Sequence, residues 1–147
     1  MRMQEPKLSR EELTRLLTAA FPEFLHPSSG VRIDKVWNGG ARVRQAFGPE
    51  MLRPGGTVSG PTMMALTDFT MYVAVLSAIG WKPLAVTTQL NINFLRKPRQ
   101  AGLVAEAKLL KLGKQLVVGE VTITSEGDDE AVAHATATYA IPGDGVK

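Results

Sequence analysis

A chain of 147 residues with 44% hydrophobic and 21% charged residues has the length and balance of one soluble globular domain with a sizeable core. Its net charge of +3 is small and scattered, which argues against a nucleic-acid-binding face. The absence of cysteine excludes disulfides, thiolate zinc sites and cysteine nucleophiles, and the two histidines, His26 and His134, are far apart, so no metal site is expected.

The first residues, "MRMQEPKLSREEL", lack the apolar stretch of a signal peptide, and a cytoplasmic location is expected. "SREE" at Ser9–Glu12 is a capping box that opens a helix with an apolar stripe of Leu13, Leu16, Leu17 and Ala20. Pro22 and Pro27 end it. The whole of 1–147 is read as one domain, with this helix and its loop (1–30) preceding a core over 31–142.

Two strands are predicted next, Val31–Trp37 and Ala41–Phe47, joined by a hairpin at Asn38-Gly39-Gly40. A loop rich in glycine and proline follows. Pro61 then suits the first turn of a helix reaching Ile79, with Gly80 closing it. This helix is apolar enough to raise a membrane-spanning reading. Its one carboxylate, Asp68, would cost about 2.5–3.5 kcal/mol on insertion, and the flanks lack anchors, so a helix buried in a protein core is expected instead. A charge in such a segment needs a partner, an altered protonation state or a task.

Four strands are predicted in the remainder, from "LAVTTQLNINFL", "GLVAEAKLLKL", "KQLVVGEVTITSEG" and "EAVAHATATYAI". Short turns between them predict a four-stranded antiparallel meander. The fold class is therefore α+β, a mostly antiparallel sheet wrapped on a long central helix, with an extra N-terminal helix.

A long apolar helix wrapped by such a sheet is the outline of the hotdog fold. "SGPTMMALTD", "VTTQLNINFLRKP", "LLKLGKQLVVGEVTI" and "AVAHATATYAIP", in that order, resemble the hotdog acyl-CoA thioesterases of the phenylacetate-pathway (PaaI-like) family. The resemblance covers roughly Gly48 to Pro142. In that family a His-Gly-Gly triplet opens the central helix and an acid lies nine residues after the His. Here Ser59-Gly60-Pro61 stands in place of the triplet, with Asp68 at the acid position.

The resemblance implies that the Gly60 amide polarises the thioester carbonyl, a role suited to a helix N-terminus. It sets Arg53 where some members carry an assisting Asn, and Thr87, with Thr88 beside it, where some members place the hydrolytic water. Asp68 is then either a general base acting on water or a nucleophile forming a mixed anhydride. The alternative is a structural Asp68 bonded to the backbone or to a neighbouring hydroxyl such as Thr67 or Tyr72.

Coenzyme A enters as part of the substrate, and no separate cofactor is implied. Its phosphates need positive ends or free amides. The family places two regions near it, here Arg96 with Lys97, and the turn of Lys111, Gly113 and Lys114. Met63, Met64 and Met71 suit either core packing or an adaptable wall against an acyl chain. His134 reads as a structural histidine. The implied assembly is a homo-oligomer, a dimer or a dimer of dimers, because a lone hotdog leaves sheet edges open and, in the family, holds half an active site. A non-catalytic acyl-CoA or fatty-acyl binder is the competing reading. A hydratase ranks below both, since no histidine lies near the helix start.

Overall fold

The computed structural model describes residues 5–143. The chain runs α1 (Arg10–Ala20), β1 (Val31–Trp37), β2 (Gly40–Gln45), a short 3-10 turn at Pro49–Met51, α2 (Gly60–Ile79), β3 (Val86–Phe94), β4 (Leu103–Leu112), β5 (Leu116–Ser125) and β6 (Ala131–Ala140). The predicted capping box is formed in both directions: the Glu12 N–H donates to Ser9 Oγ at 3.1 Å and the Ser9 N–H to Glu12 Oε1 at 2.9 Å. Leu13 and Leu17 are buried, whereas Ala20 is exposed.

The six strands form one antiparallel sheet in the order β1-β2-β4-β5-β6-β3. This is the hotdog architecture. It corrects one expectation: only β4, β5 and β6 form a meander. Strand β3 lies beyond β6 at the far edge, with Thr87 opposite Tyr139 and Phe94 opposite Ala133. The segment leading into β4 crosses the end of the sheet and is lashed to the β5–β6 turn. There Arg99 donates to Asp128 Oδ2 at 2.9 Å and to the Glu126 carbonyl, and its N–H reaches Ser125 Oγ at 3.3 Å.

Helix α2 lies across the inner face of the sheet. Much of that face is alanine, with Ala41, Ala105, Ala107, Ala133, Ala135 and Ala137 buried, so the larger helix residues Leu66, Met71 and Leu76 fill the space between the layers. At Gly119 the approach leaves no room for a side chain: a Cβ there would sit 2.7 Å from the Met71 sulfur. The helix starts at the Ser59 cap, whose Oγ accepts the Thr62 N–H at 3.2 Å, and stops at Gly80, whose φ of 88° suits glycine.

By length and composition α2 could cross a membrane, but 67% of its apolar window is buried within the protein. The burial is one-sided. Pro61, Met64, Ala65, Asp68 and Tyr72 form a stripe at helical spacing that the sheet does not cover. The acid therefore lies on the accessible face of a helix whose other faces are buried.

Candidate active site

Asp68 stands half-buried on that stripe, and two hydroxyls converge on it. Thr87 Oγ1 donates to Asp68 Oδ1 at 2.6 Å. The Tyr139 hydroxyl donates to the same oxygen at 2.7 Å and lies 3.0 Å from the Asp68 carbonyl oxygen. Among the described residues no hydrogen-bond partner reaches Oδ2. The carboxylate is thus held by one oxygen and free at the other.

The two donors are a cross-strand pair, Thr87 on β3 and Tyr139 on β6. A bulge follows at once, because the next pairing joins Gln89 to Thr138 and leaves Thr88 as the extra residue. Thr88 is exposed and its hydroxyl bonds the Thr138 carbonyl at 3.2 Å, away from Asp68. Tyr139 is 3% exposed and stacks on Tyr72 with ring centroids 6.0 Å apart. Burial, and then the neighbouring Asp68 charge, push its phenol far above the ordinary tyrosine value, so Tyr139 acts as a donor. Tyr72 is also raised by burial and donates to the Pro83 carbonyl at 2.8 Å.

Asp68 opens into a cleft of about 440 Å³ shared with Phe21, Tyr72, Leu84, Val86 and Tyr139. Phe21 arrives from the end of α1, where it packs with Phe24 and Phe69 at centroid distances of 5.9 and 6.2 Å. The walls are apolar and the one acid is Asp68, an arrangement that accepts an apolar group with a reactive polar centre beside it.

The start of α2 offers a second feature. Thr62 N–H is capped by Ser59 Oγ, Met63 N–H by the Ser59 carbonyl at 3.3 Å, and Pro61 has no N–H. Gly60 N–H is the donor left over, at the positive end of the helix. It lines a separate cleft of about 380 Å³ with Arg53, Met63, Phe94, Arg96, Lys97 and Pro98. Within one chain, Gly60 and Asp68 are eight helical positions apart, about 12 Å along the axis.

The residues expected at a site therefore fall into three groups. Asp68 and Thr87 are together. Gly60, Ser59, Arg53, Arg96 and Lys97 gather at the helix start, where Arg96 donates to the Ala131 carbonyl at 3.0 Å and pairs with Glu130 at 3.1 Å. Lys111, Gly113 and Lys114 sit apart on the β4–β5 hairpin, with both lysines exposed and the Gly113 N–H donating to the Leu116 carbonyl at 2.9 Å. Met64 lies on the accessible stripe, 41% exposed, between the two clefts.

The expected structural partners of Asp68, Thr67 and Tyr72, are not the ones used: Thr67 Oγ1 is buried without a partner and Tyr72 turns to Pro83. Tyr139 was not singled out in the sequence. Its signal is there in β6, where Ala133, Ala135 and Ala137 line the inner face and one large residue with a polar tip follows in register. His134 is the structural histidine expected, its Nε2 2.9 Å from Glu120 Oε1 on the outer face. Among the described residues no group of His, Asp and Glu could hold a metal ion.

Comparison with known proteins bears on this geometry. The model of a family described as "Thioesterase superfamily" matches residues 55–132. The chain is similar to the crystal structure of a "putative thioesterase" from Silicibacter sp., with 39% identity, a TM-score of 0.85 and 97% of each chain covered. It is similar to a "hypothetical thioesterase protein with coenzyme A" from Streptococcus pneumoniae, with 25% identity, a TM-score of 0.70, and 77% of this chain and 86% of that one covered. The Escherichia coli PaaI protein of the phenylacetic acid degradation operon shares the fold at 23% identity, with a TM-score of 0.74 over 92% of this chain and 97% of its own.

Proposed function

The chain belongs to the thioesterase superfamily, and from that premise we propose that it hydrolyses acyl-CoA thioesters to a free acid and coenzyme A, with Asp68 as the catalytic carboxylate. The observation that carries this reading is the carboxylate itself: Oδ1 is held by Thr87 and Tyr139, while Oδ2 is unpartnered beside an apolar cleft.

Water is the attacking group. Asp68 Oδ2 takes a proton from a water, whose oxygen adds to the thioester carbonyl carbon. The carbonyl oxygen becomes an oxyanion, stabilised by the Gly60 N–H. Collapse breaks the carbon–sulfur bond, and the coenzyme A thiolate takes the proton back from Asp68. Thr87 commits its hydrogen to Oδ1, which leaves its lone pairs for a proton of that water. Direct attack by Oδ2 would instead form a mixed anhydride with loss of the coenzyme A thiolate, and where water then attacks the aspartyl carbon, a single turnover in ¹⁸O-water labels Asp68 and not the product.

Gly60 and Asp68 of one chain are too far apart to share a carbonyl, so the working site is composite. Strand β3 is centred on Leu90, and antiparallel pairing of two copies about that centre sets Thr87 of one chain near Asn93 of the partner subunit. Gly60 packs on Phe94 at that end, a Cβ on Gly60 lying 3.3 Å from its ring. The partner subunit's Gly60 is thus carried toward Asp68. The neighbouring cations Arg53, Arg96 and Lys97 are suited to the coenzyme A phosphates, and the cleft with Phe21 to the acyl group. The occurrence of coenzyme A with the Streptococcus pneumoniae relative supports the choice of thioester. A cytoplasmic location goes with this reading.

The test is a panel of acyl-CoA esters with a thiol reagent. Asp68→Asn keeps shape but removes base and nucleophile, and kcat is expected to fall by about 10²-fold or more, with folding retained. Hydrolysis by Asp68→Asn at the wild-type rate would make Asp68 structural. Binding of acyl-CoA by the wild-type protein without turnover would favour the non-catalytic binder.

A further inference from the structure

We propose that Tyr139 is a positioning residue for Asp68, fixing which of its two oxygens reacts. The inference rests on the thioesterase reading of Asp68 and deepens it.

A free Asp side chain turns about its terminal torsion across a broad range, which exchanges its oxygens and misdirects a proton transfer that depends on orientation. Thr87 alone leaves that rotation open, because one hydrogen bond to one oxygen is a hinge. Tyr139 supplies a second hydroxyl to the same Oδ1, from the neighbouring strand, at 2.7 Å. Two donors on one oxygen from two strands define a direction, and Oδ2 is left toward the cleft. Tyr139 also lies 3.0 Å from the Asp68 carbonyl oxygen, so it registers side chain and helix backbone together.

The phenol is itself immobile. Its ring is buried at the end of the alanine-lined face of β6 and stacked on Tyr72. Buried tyrosine hydroxyls need a partner, and the hydrogen-bonded oxygens found for this one both belong to Asp68. Tyr139 shares the wall of the cleft, but its hydroxyl is turned to Asp68 and acts on the reaction through the carboxylate.

Tyr139→Phe keeps the ring and removes the hydroxyl. The expected result is a fall in kcat of about tenfold, the scale of one hydrogen bond to a charged group, with KM changed less than twofold. In the Asp68→Asn background the same substitution should change kcat by less than twofold, because the group it positions is already gone. A wild-type kcat for Tyr139→Phe, or an equal loss in both backgrounds, overturns the inference. If Asp68→Asn alone is fully active, the thioesterase reading of Asp68 fails first, and the two failures are told apart. A readout independent of turnover uses fluorotyrosine, since the chain has two tyrosines, Tyr72 and Tyr139. The Tyr139 ¹⁹F resonance should move in Asp68→Asn and in Thr87→Val. Failure to move in both variants would overturn the inference.

Discussion

Asp68 owes its reach to the residues around it. The stripe of Pro61, Met64, Ala65, Asp68 and Tyr72 is the one face of α2 left uncovered. The acid's position was legible because it interrupts an apolar run in register with a family motif. Its accessibility was not, since a helix with apolar residues all round has no periodicity from which to choose its outward face. The rim cations differ among themselves. Arg96 spends its guanidinium on Ala131 and Glu130, while the Lys97 side chain has no ion pair among the described residues. Arg96→Ala should raise the KM for acyl-CoA several-fold with kcat nearly unchanged, because a remote contact holds ground and transition states alike. Added salt should mimic it in the wild type. An unchanged KM would remove Arg96 from coenzyme A binding and leave it a clamp on the β6 end.

The strands carry a second network, on the outer face. A bulge in β1 at Asp34 sets this carboxylate among Arg32, Arg42 and Arg44, with contacts of 3.0, 3.6 and 3.0 Å. The Arg44 hydrogen bond, opposed by partial burial and aided by the Arg44 and Arg32 charges, holds Asp34 below the usual carboxylate range. A lowered folded value means the stabilisation is full above the unfolded value, near pH 4, and is lost as pH falls through the folded one. Asp34→Asn should therefore cost about 1 kcal/mol at pH 7. The difference in urea midpoint from wild type should shrink progressively as pH falls below about 4 and through the folded value. A constant difference across that range would show that the charge is not the cause. Helix ends were legible at this scale, since Ser9, Pro61 and Gly80 each signal locally. The bulges at Asp34, Thr88 and Leu110 were not: each is a mismatch between two strands, which neither strand contains alone.

Across the whole molecule the two sheet edges are unlike. The β1 edge is broken by its bulge and carries Arg32, Asp34 and Lys35, a defended edge. The β3 edge, "VTTQLNINF", has no charged residue, and Val86 and Phe94 are 56% and 48% exposed. The second has the character of a pairing edge, and the proposed composite site predicts a dimer through β3 by light scattering at micromolar concentration. Asn91→Lys, beside the centre of that strand, should shift the protein toward monomer and remove activity with Asp68, Thr87 and Tyr139 intact. A fully active monomer would sink the composite site. The layer arrangement was legible from one long apolar helix among strands. The place of β3 was not, because its alternation tells which face is buried and nothing about which strand lies beside it.

That same placement sets an order of assembly. Thr87 lies 19 residues from Asp68 along the chain and Tyr139 lies 71, so closing the second loop costs about 1 kcal/mol more in chain entropy. Until β6 has formed, β3 has no neighbouring strand and neither hydroxyl is fixed on the carboxylate. A chain emerging from the ribosome through β5 would hold α2 and most of its sheet but no fixed Oδ2. Completion of folding and acquisition of a directed carboxylate are then one event, and the Tyr139 hydroxyl is its timestamp.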